Sequence, residues 1–334
     1  MNNKKFLIPD GIEYFMPDEA LKFESLKQKA LRIFDKYAYK YVLPPIFDDL
    51  NNLFSLNSAD LDKETVSIND YRLGGKIGIR ADITPQISKI DYQFAKNSNI
   101  SKYCYMGDIL RSHAKDFDRK NPFQLGAEIF GDITKDNDIE IIKLMLEIIF
   151  LSNNKKIILD LGNLSFINNF LSKLDLNKEQ KHELVTLLNY KAKTDIYDFC
   201  KKNKINKNKL NFLISIIDLS GDIAVIKEIK KFIKYYKIDF NKELNELDYI
   251  ARKILKFNSS CQVQIDLCEL HGYEYQNNLI YTLYTPSFRK DIARGGRYKA
   301  YKISKNQYRN ATGFSLDLKD IFNISNLKRK AKNA

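Results

Sequence analysis

At 334 residues and 39.0 kDa, the chain can form one large domain or two ordinary ones, each with a core of its own. With 44% hydrophobic and 29% charged residues spread along its length, it is neither a disordered nor a collagen-like chain. The net charge of +13 and pI near 9.2 would suit nucleic acid, but the excess is mostly lysine mixed with asparagine and isoleucine, as in KKNKINKNKLN. That reads as compositional bias, so neither nucleic acid nor membrane is an expected partner.

The N-terminal MNNKKFLIPDGIEYF reaches Pro9 and Asp10 after only three apolar residues and lacks the apolar core of a secretory signal. The longest apolar stretch, Ile141 to Leu151, is too short for a bilayer span and is broken by Lys143 and Glu147. Cytoplasmic residence is the expectation. Pro17 then opens a helix, with Leu21, Ala30, Ile33, Phe34 and Tyr37 expected near one face. Pro44-Pro45 forces an extended path, so Tyr41 to Ile46 is expected as a strand or strand entry.

Val66 to Thr84 alternates around Gly74-Gly75 and predicts a hairpin, and Thr84-Pro85 starts a helix to about Ala95. Lys102 to Leu110 and Phe123 to Gly131 predict a second hairpin, followed by a helix over Asp138 to Leu151 and a strand over Lys156 to Leu161. From Leu164 to about Lys256 the pattern is a succession of helices with almost no strand signal. Strand patterns return in CQVQIDLCEL, NLIYTLYT and ATGFSLDL, with ARGGRYK expected as a glycine-rich turn between the last two. The expected class is α+β with mainly antiparallel sheet, divided as a core (1–163), a helical insertion (164–256), a returning core (257–325) and a mobile tail (326–334).

Cys104, Cys200, Cys261 and Cys268 contain no CxxC pair, and free buried thiols are expected. His113, His182 and His271 show no metal-ligand spacing, so neither a structural metal nor a cofactor is expected. The residues that could carry chemistry are Arg80-Ala-Asp-Ile-Thr-Pro-Gln86, Arg111, Gln124-Leu-Gly-Ala-Glu128, Glu269-Leu-His-Gly-Tyr-Glu-Tyr275 and Ala293-Arg-Gly-Gly-Arg-Tyr298. Singly they are weak signals, because an arginine or glutamate facing solvent from a strand needs no special role.

In combination, their order and spacing resemble the catalytic core of class II histidyl-tRNA synthetases over nearly the whole chain. YVLPPIFDDL is similar to the dimer-forming first motif, IGIRADITPQ to the amino-acid-binding strand, and YMGDILR with FQLGAEIFG to the second motif. HGYEYQ and GGRY resemble the histidine signatures, and ATGFSLDL the third motif. The resemblance implies a class II synthetase-like fold.

The departures from that pattern concern the nucleotide. Adenylation needs cationic groups on the phosphates and carboxylates around magnesium. His113 and Lys120-Asn121-Pro122 stand where the second motif of a synthetase carries further charged groups. Asp317-Leu318-Lys319-Asp320 replaces a Gly-Leu-Glu-Arg, so Asp320 is expected to repel phosphate, and His271 replaces an arginine of the histidine signature. The chain also stops shortly after the third-motif segment, where a synthetase continues into an anticodon-binding domain.

These losses are similar to those of the regulatory subunits of ATP phosphoribosyltransferase, synthetase paralogues that act with a short catalytic subunit in the first step of histidine biosynthesis. That resemblance implies no catalytic residue here. It implies activation of the catalytic subunit in a hetero-octamer of four plus four chains, self-association as a homodimer, and feedback inhibition by L-histidine. It further implies that Asp82 and Thr84 hold the α-ammonium, that Arg111 and Gln124 hold the carboxylate, and that Glu128 and Tyr275 orient the imidazole. Tyr273 would pack nearby, and His271 would lie at the anionic end. Two alternatives are an adenylating histidyl-tRNA synthetase relative and a histidine- or tRNA-sensing binding module.

Overall fold

The elements follow from the points at which apolar alternation gives way to helical spacing. The computed structural model describes residues 11–54, 63–70, 75–95, 99–112, 118–154, 156–270, 276–305 and 307–332. Helix α1 (Pro17–Lys36) starts at its proline, with Asp18 and Glu19 in the first turn, where acids oppose the positive end of the helix dipole. It buries Phe23, Leu26, Ala30 and Phe34, a stripe at i+3/i+4 spacing. Leu21 falls off that stripe and is 72% exposed, which corrects the expected face.

Strands β1 (Lys40–Val42) and β2 (Phe47–Asp49) lie on either side of Pro44-Pro45. The prolines lack backbone donors, so the expected strand over Tyr41 to Ile46 splits there. Helix α2 (Leu50–Leu53) follows, then the antiparallel pair β3 (Val66–Asp70) and β4 (Gly75–Ile79), which β2 joins in a three-stranded sheet ordered β2-β4-β3. Helix α3 (Thr84–Phe94) begins at Thr84-Pro85. Strands β5 (Ile100–Asp108) and β6 (Phe123–Gly131) form the expected second antiparallel pair, and α4 (Lys135–Phe150) leads to β7 (Ile157–Asn163).

The insertion contains α5 (Leu164–Leu171), α6 (Lys178–Asn189), α7 (Lys193–Lys202), α8 (Lys207–Ile217), α9 (Val225–Tyr235) and α10 (Asn241–Phe257). It also contributes a short strand, β8 (Ser220–Asp222), which pairs antiparallel with β9 (Cys261–Asp266). Three residues are too few for a period-two signal, so this strand is not legible from periodicity. Phe166, Phe212 and Phe240 of the insertion share one apolar cluster with Ile157, Leu161 and Leu283 of the sheet. The insertion is thus packed as part of the main core.

The sheet is completed by β10 (Gln276–Tyr284), β11 (Ala293–Ser304) and β12 (Gln307–Asp317), and α11 (Leu318–Lys332) follows. Its nine strands run in the order β1-β5-β6-β12-β11-β10-β7-β9-β8, antiparallel except at β1/β5 and β7/β9. The ARGGRYK segment is therefore not a turn but the start of a central strand. Glycine is needed there for packing: a Cβ on Gly295 would collide with the Tyr281 ring on the neighbouring strand and with the Gly313 carbonyl. Helix α11 runs to Lys332 and so includes most of the segment from 326.

Candidate amino-acid-binding site

Register places the expected residues on one face of the sheet. Glu128 of β6 lies opposite Gly313 of β12, which lies opposite Gly296 of β11; Gly126, Ser315 and Arg294 form the next such row. Directly opposed residues share a face, as do alternate residues along a strand, so Gln124, Gly126 and Glu128 face the same way. Gly313 is required by this arrangement, because a Cβ there would fall on the Glu128 carboxylate.

Around Glu128 the groups form a closed hydrogen-bonded set. Asp82, on the β4–α3 connection, accepts through Oδ1 from the Thr84 N–H at 2.8 Å and from Gln124 Nε2 at 2.9 Å. Gln124 Oε1 in turn accepts from the Ile83 N–H at 2.8 Å. Thr84 Oγ1 lies 3.0 Å from the Tyr105 hydroxyl, and both reach Glu128 Oε1 at 3.4 Å. The Tyr298 hydroxyl donates to Glu128 Oε2 at 2.9 Å. Asp82, Thr84, Gln124 and Glu128 are thus brought together as expected.

Burial dominates the electrostatics of Glu128. Loss of solvent around a residue only 2% exposed pushes its carboxyl up to about 8, and the nearby Asp82 adds to the rise. The hydroxyls of Tyr298, Tyr105 and Thr84 favour the ionised form and limit the shift. The result is a carboxyl that is largely protonated at neutral pH, among hydroxyl groups that can both donate and accept.

Arg111 is placed differently. It pairs through Nε with Glu64 Oε2 at 3.4 Å, and no pairing with Glu128 is formed across the strands. It lines a cavity of about 110 Å³ together with Gln124, Ser315 and Arg294, so it borders the Gln124 end of the site without yet joining the set. Gln124 itself braces Asp82 and the Ile83 N–H, a positioning role that its residue type alone did not reveal. His271, Tyr273 and Tyr275 lie outside the described residues.

The same cavity is also lined by members of a dense ion-pair network. Arg119 pairs with Asp320, with Asp317 at 2.8 Å and with Glu13 at 2.7 Å. Lys290 reaches Asp320 at 3.0 Å and Asp118 at 2.7 Å. Asp320, 2% exposed, is not a bare charge able to repel phosphate as expected, because Arg119 and Lys290 neutralise it. Asp317 is held above the usual carboxylate range by burial and by Asp320 beside it, with Arg119 opposing the shift.

Tyr105, Tyr298 and Gly313 were missed as site residues, although all three fall in segments whose composition is distinctive: YMGD, GGRY and ATGF. No local signal marks Arg119, which lies in a polar loop. Arg80 and Gln86, quoted with the same run as Asp82, are structural instead. Arg80 donates to the carbonyls of Asp108, Pro44 and Pro45, and Gln86 to that of Pro45. All four cysteines are free and buried, as expected. Among the described residues no helix is long and apolar enough to cross a membrane.

The family profile described as histidyl-tRNA synthetase matches residues 11–321. A protein of Methylococcus capsulatus named ATP phosphoribosyltransferase regulatory subunit is 32% identical over 324 residues, 97% of this chain and 80% of the relative. Among solved structures, an ATP phosphoribosyltransferase regulatory subunit/histidyl-tRNA synthetase from Bacillus halodurans superposes with a TM-score of 0.83 at 19% identity, covering 98% of this chain and 84% of that one. The ATP phosphoribosyl transferase (HisG:HisZ) complex from Thermotoga maritima contains a chain similar with a TM-score of 0.63 at 18% identity, covering 90% of this chain and 96% of that one.

Proposed function

The chain belongs to the histidyl-tRNA synthetase-like family and, within it, to the ATP phosphoribosyltransferase regulatory subunits, and we propose that its Glu128 pocket senses L-histidine for that enzyme. As a member of that family it is a non-catalytic subunit acting in histidine biosynthesis beside a catalytic chain. The observation that carries the sensing role is an asymmetry. The groups suited to an amino acid are gathered around Glu128, while Arg119 and Lys290 are consumed by Asp317 and Asp320 and are not available to phosphate.

In this reading Asp82 and Thr84 take the ammonium, Glu128 the imidazole, and Arg111 the carboxylate after releasing Glu64. The further residues expected for the imidazole and the anionic end, His271, Tyr273 and Tyr275, lie outside the described residues. Histidine inhibits by binding better to the less active arrangement of the complex, and the coupling is reciprocal: the catalytic chain must alter histidine affinity by the same factor. The working assembly is four regulatory and four catalytic chains, built on a homodimer. Leu43, Ile46 and Phe47, which are 72%, 45% and 55% exposed around the Pro44-Pro45 turn, supply apolar surface for self-association.

The test is phosphoribosyl transfer by the short catalytic subunit, with and without this chain and with and without histidine, alongside direct calorimetry of histidine binding. Activation with histidine-dependent inhibition supports the reading. Histidine-dependent exchange of pyrophosphate with ATP would overturn it in favour of an adenylating enzyme. Binding of tRNA with a steep salt dependence, and no effect on transfer, would favour a binding module.

A further inference from the structure

The helical insertion grips the turn that follows β9. Asp266 shapes this turn itself, its Oδ1 accepting from the Cys268 N–H at 2.8 Å and its carbonyl from the Glu269 N–H at 3.3 Å. Two residues at and just after the end of α6 then hold it from outside. Lys191 Nζ lies 2.7 Å from Asp266 Oδ2 and donates to Ser220 Oγ at 3.2 Å, and Ser220 is the β8 residue opposite Asp266. Asn189 Oδ1 accepts from the Leu270 N–H at 3.2 Å. The helix end is shaped to deliver these groups. The Lys191 N–H bonds the Leu188 carbonyl and the Ala192 N–H the Leu187 carbonyl, each at 3.0 Å, the paired bonds that close a helix on a left-handed residue. That residue is Lys191, at φ 53°, where a glycine would relax the backbone but carry no amine.

The turn lies on the face of the sheet that carries the pocket. A Cβ on Gly162 of β7 would come within 2.9 Å of the Asp266 carbonyl and 3.1 Å of the Glu269 carbonyl, so the backbone of the turn rests against that glycine. Gly162 is opposite Ile280, Ile280 opposite Gly296, Gly296 opposite Gly313, and Gly313 opposite Glu128. One row of one face therefore runs from the turn to the Glu128 carboxylate. From Leu270 the chain leads through His271 to Tyr275, the histidine-signature segment, into Gln276, the β10 residue opposite Tyr298. Tyr298 is the residue whose hydroxyl donates to Glu128. The segment thus starts at a point held by the insertion and ends opposite a residue that contacts Glu128.

We infer that Asn189 and Lys191 are positioning residues, through which the helical insertion fixes the start of the histidine-signature segment and so sets the affinity of the Glu128 pocket. A segment anchored at both ends has less conformational freedom to lose when a ligand orders it. With one anchor released, only a fraction of molecules holds the segment where a ligand can use it, and the apparent affinity falls by that fraction. Neither residue acts by touching the ligand. Asn189 acts through the Leu270 N–H, the backbone group next to His271, and Lys191 through the carboxylate that shapes the turn.

This inference rests on the histidine reading, and the experiment separates the two. Histidine affinity of the full chain is measured by calorimetry, and hydrogen exchange without ligand is followed in peptides covering Asp266 to Tyr275, for the wild type, Asn189→Ala, Lys191→Gly and Lys191→Arg. Glycine suits the left-handed backbone at this position, so Lys191→Gly removes the amine without straining the helix end. Expected in Asn189→Ala and Lys191→Gly are histidine binding weaker by about threefold to tenfold and exchange faster by about threefold or more in these peptides. Lys191→Arg keeps the cation and should stay within about twofold of the wild type in both measurements. Should Asn189→Ala not fold, Lys191→Gly decides alone. Affinity unchanged in Asn189→Ala and Lys191→Gly, affinity weakened with no change in exchange, or an equal loss in Lys191→Arg overturns this inference alone. Failure of the wild type to bind histidine removes the functional reading instead, and the exchange rates then decide whether the insertion braces the segment.

Discussion

Two polar regions share one face of the sheet and handle charge in opposite ways. Around Glu128, one carboxyl is surrounded by hydroxyls and a second acid, with no cation in the set, so that it keeps its proton at neutral pH. Around Asp320, the acids outnumber Arg119 and Lys290, yet each finds a cation, and the network closes on itself. The first arrangement contains no cation, so its acids are met only by neutral donors. The second has no affinity for phosphate, since its positive groups are already engaged. Loss of nucleotide chemistry here is therefore an active filling of space with internal ion pairs and not merely a deletion of contacts.

The sharpest way to break this comparison is to unbalance the closed region. Arg119→Ala leaves buried Asp317 and Asp320 short of a cation and should cost about 3–5 kcal/mol of folding stability, read by denaturant unfolding. Replacing Arg119 and Asp320 together by Met and Leu should return part of that loss. Unchanged stability in Arg119→Ala would mean the network is not a stabilising plug.

In the open region, effects should appear in binding before stability. Gly313→Ala displaces the Glu128 carboxylate and should weaken histidine binding by more than about tenfold in calorimetry, without altering any group that could touch the ligand. Glu128→Gln keeps the shape but cannot ionise, and should weaken binding by about tenfold with little loss in melting temperature. The amide does not ionise in this range, so the part of the pH dependence of binding that comes from Glu128 should disappear as well.

Glu128 also leaves a mark on stability against pH. Its carboxyl is raised from 4.5 to about 8 in the folded chain, so between these values the folded state holds a proton that the unfolded state has released. Its contribution is fully present below about 4.5 and is lost as the pH rises towards about 8. The melting temperature of the wild type should carry this downward component over that window, and Glu128→Gln should flatten it. The smallest expected effect concerns Asp320→Asn: with Arg119 still held by Asp317 and Glu13, no ATP binding should be gained in an equilibrium dialysis measurement.

Much of this arrangement was legible without coordinates, and its errors have physical causes. Local spacing located α3, the β5–β6 pair and α4, because their periodic patterns are long and continuous. ARGGRYK misled as a turn because two adjacent glycines favour loops in isolation. Only the Tyr281 ring lying across Gly295 from the neighbouring strand shows that small residues are demanded there. Leu21 misled because a long amphipathic helix offers more than one apolar stripe, and the surface formed by α4, α11 and β1 selects just one.

The sequence by itself determined the α+β class, most of the succession of elements and the chemical types available to the pocket: Asp82 and Thr84 sit at a strand-to-helix junction, and Gln124 and Glu128 on one face of a strand. Residue type and local periodicity are properties of neighbouring positions along the chain. Tertiary structure alone decided the state of those groups. Asp320 is neutralised by an arginine 201 residues away, and Glu128 keeps its proton because strands and a helix from distant segments exclude water around it. Desolvation and long-range pairing depend on what folding brings into contact, so charge state could be read only once the sheet had assembled.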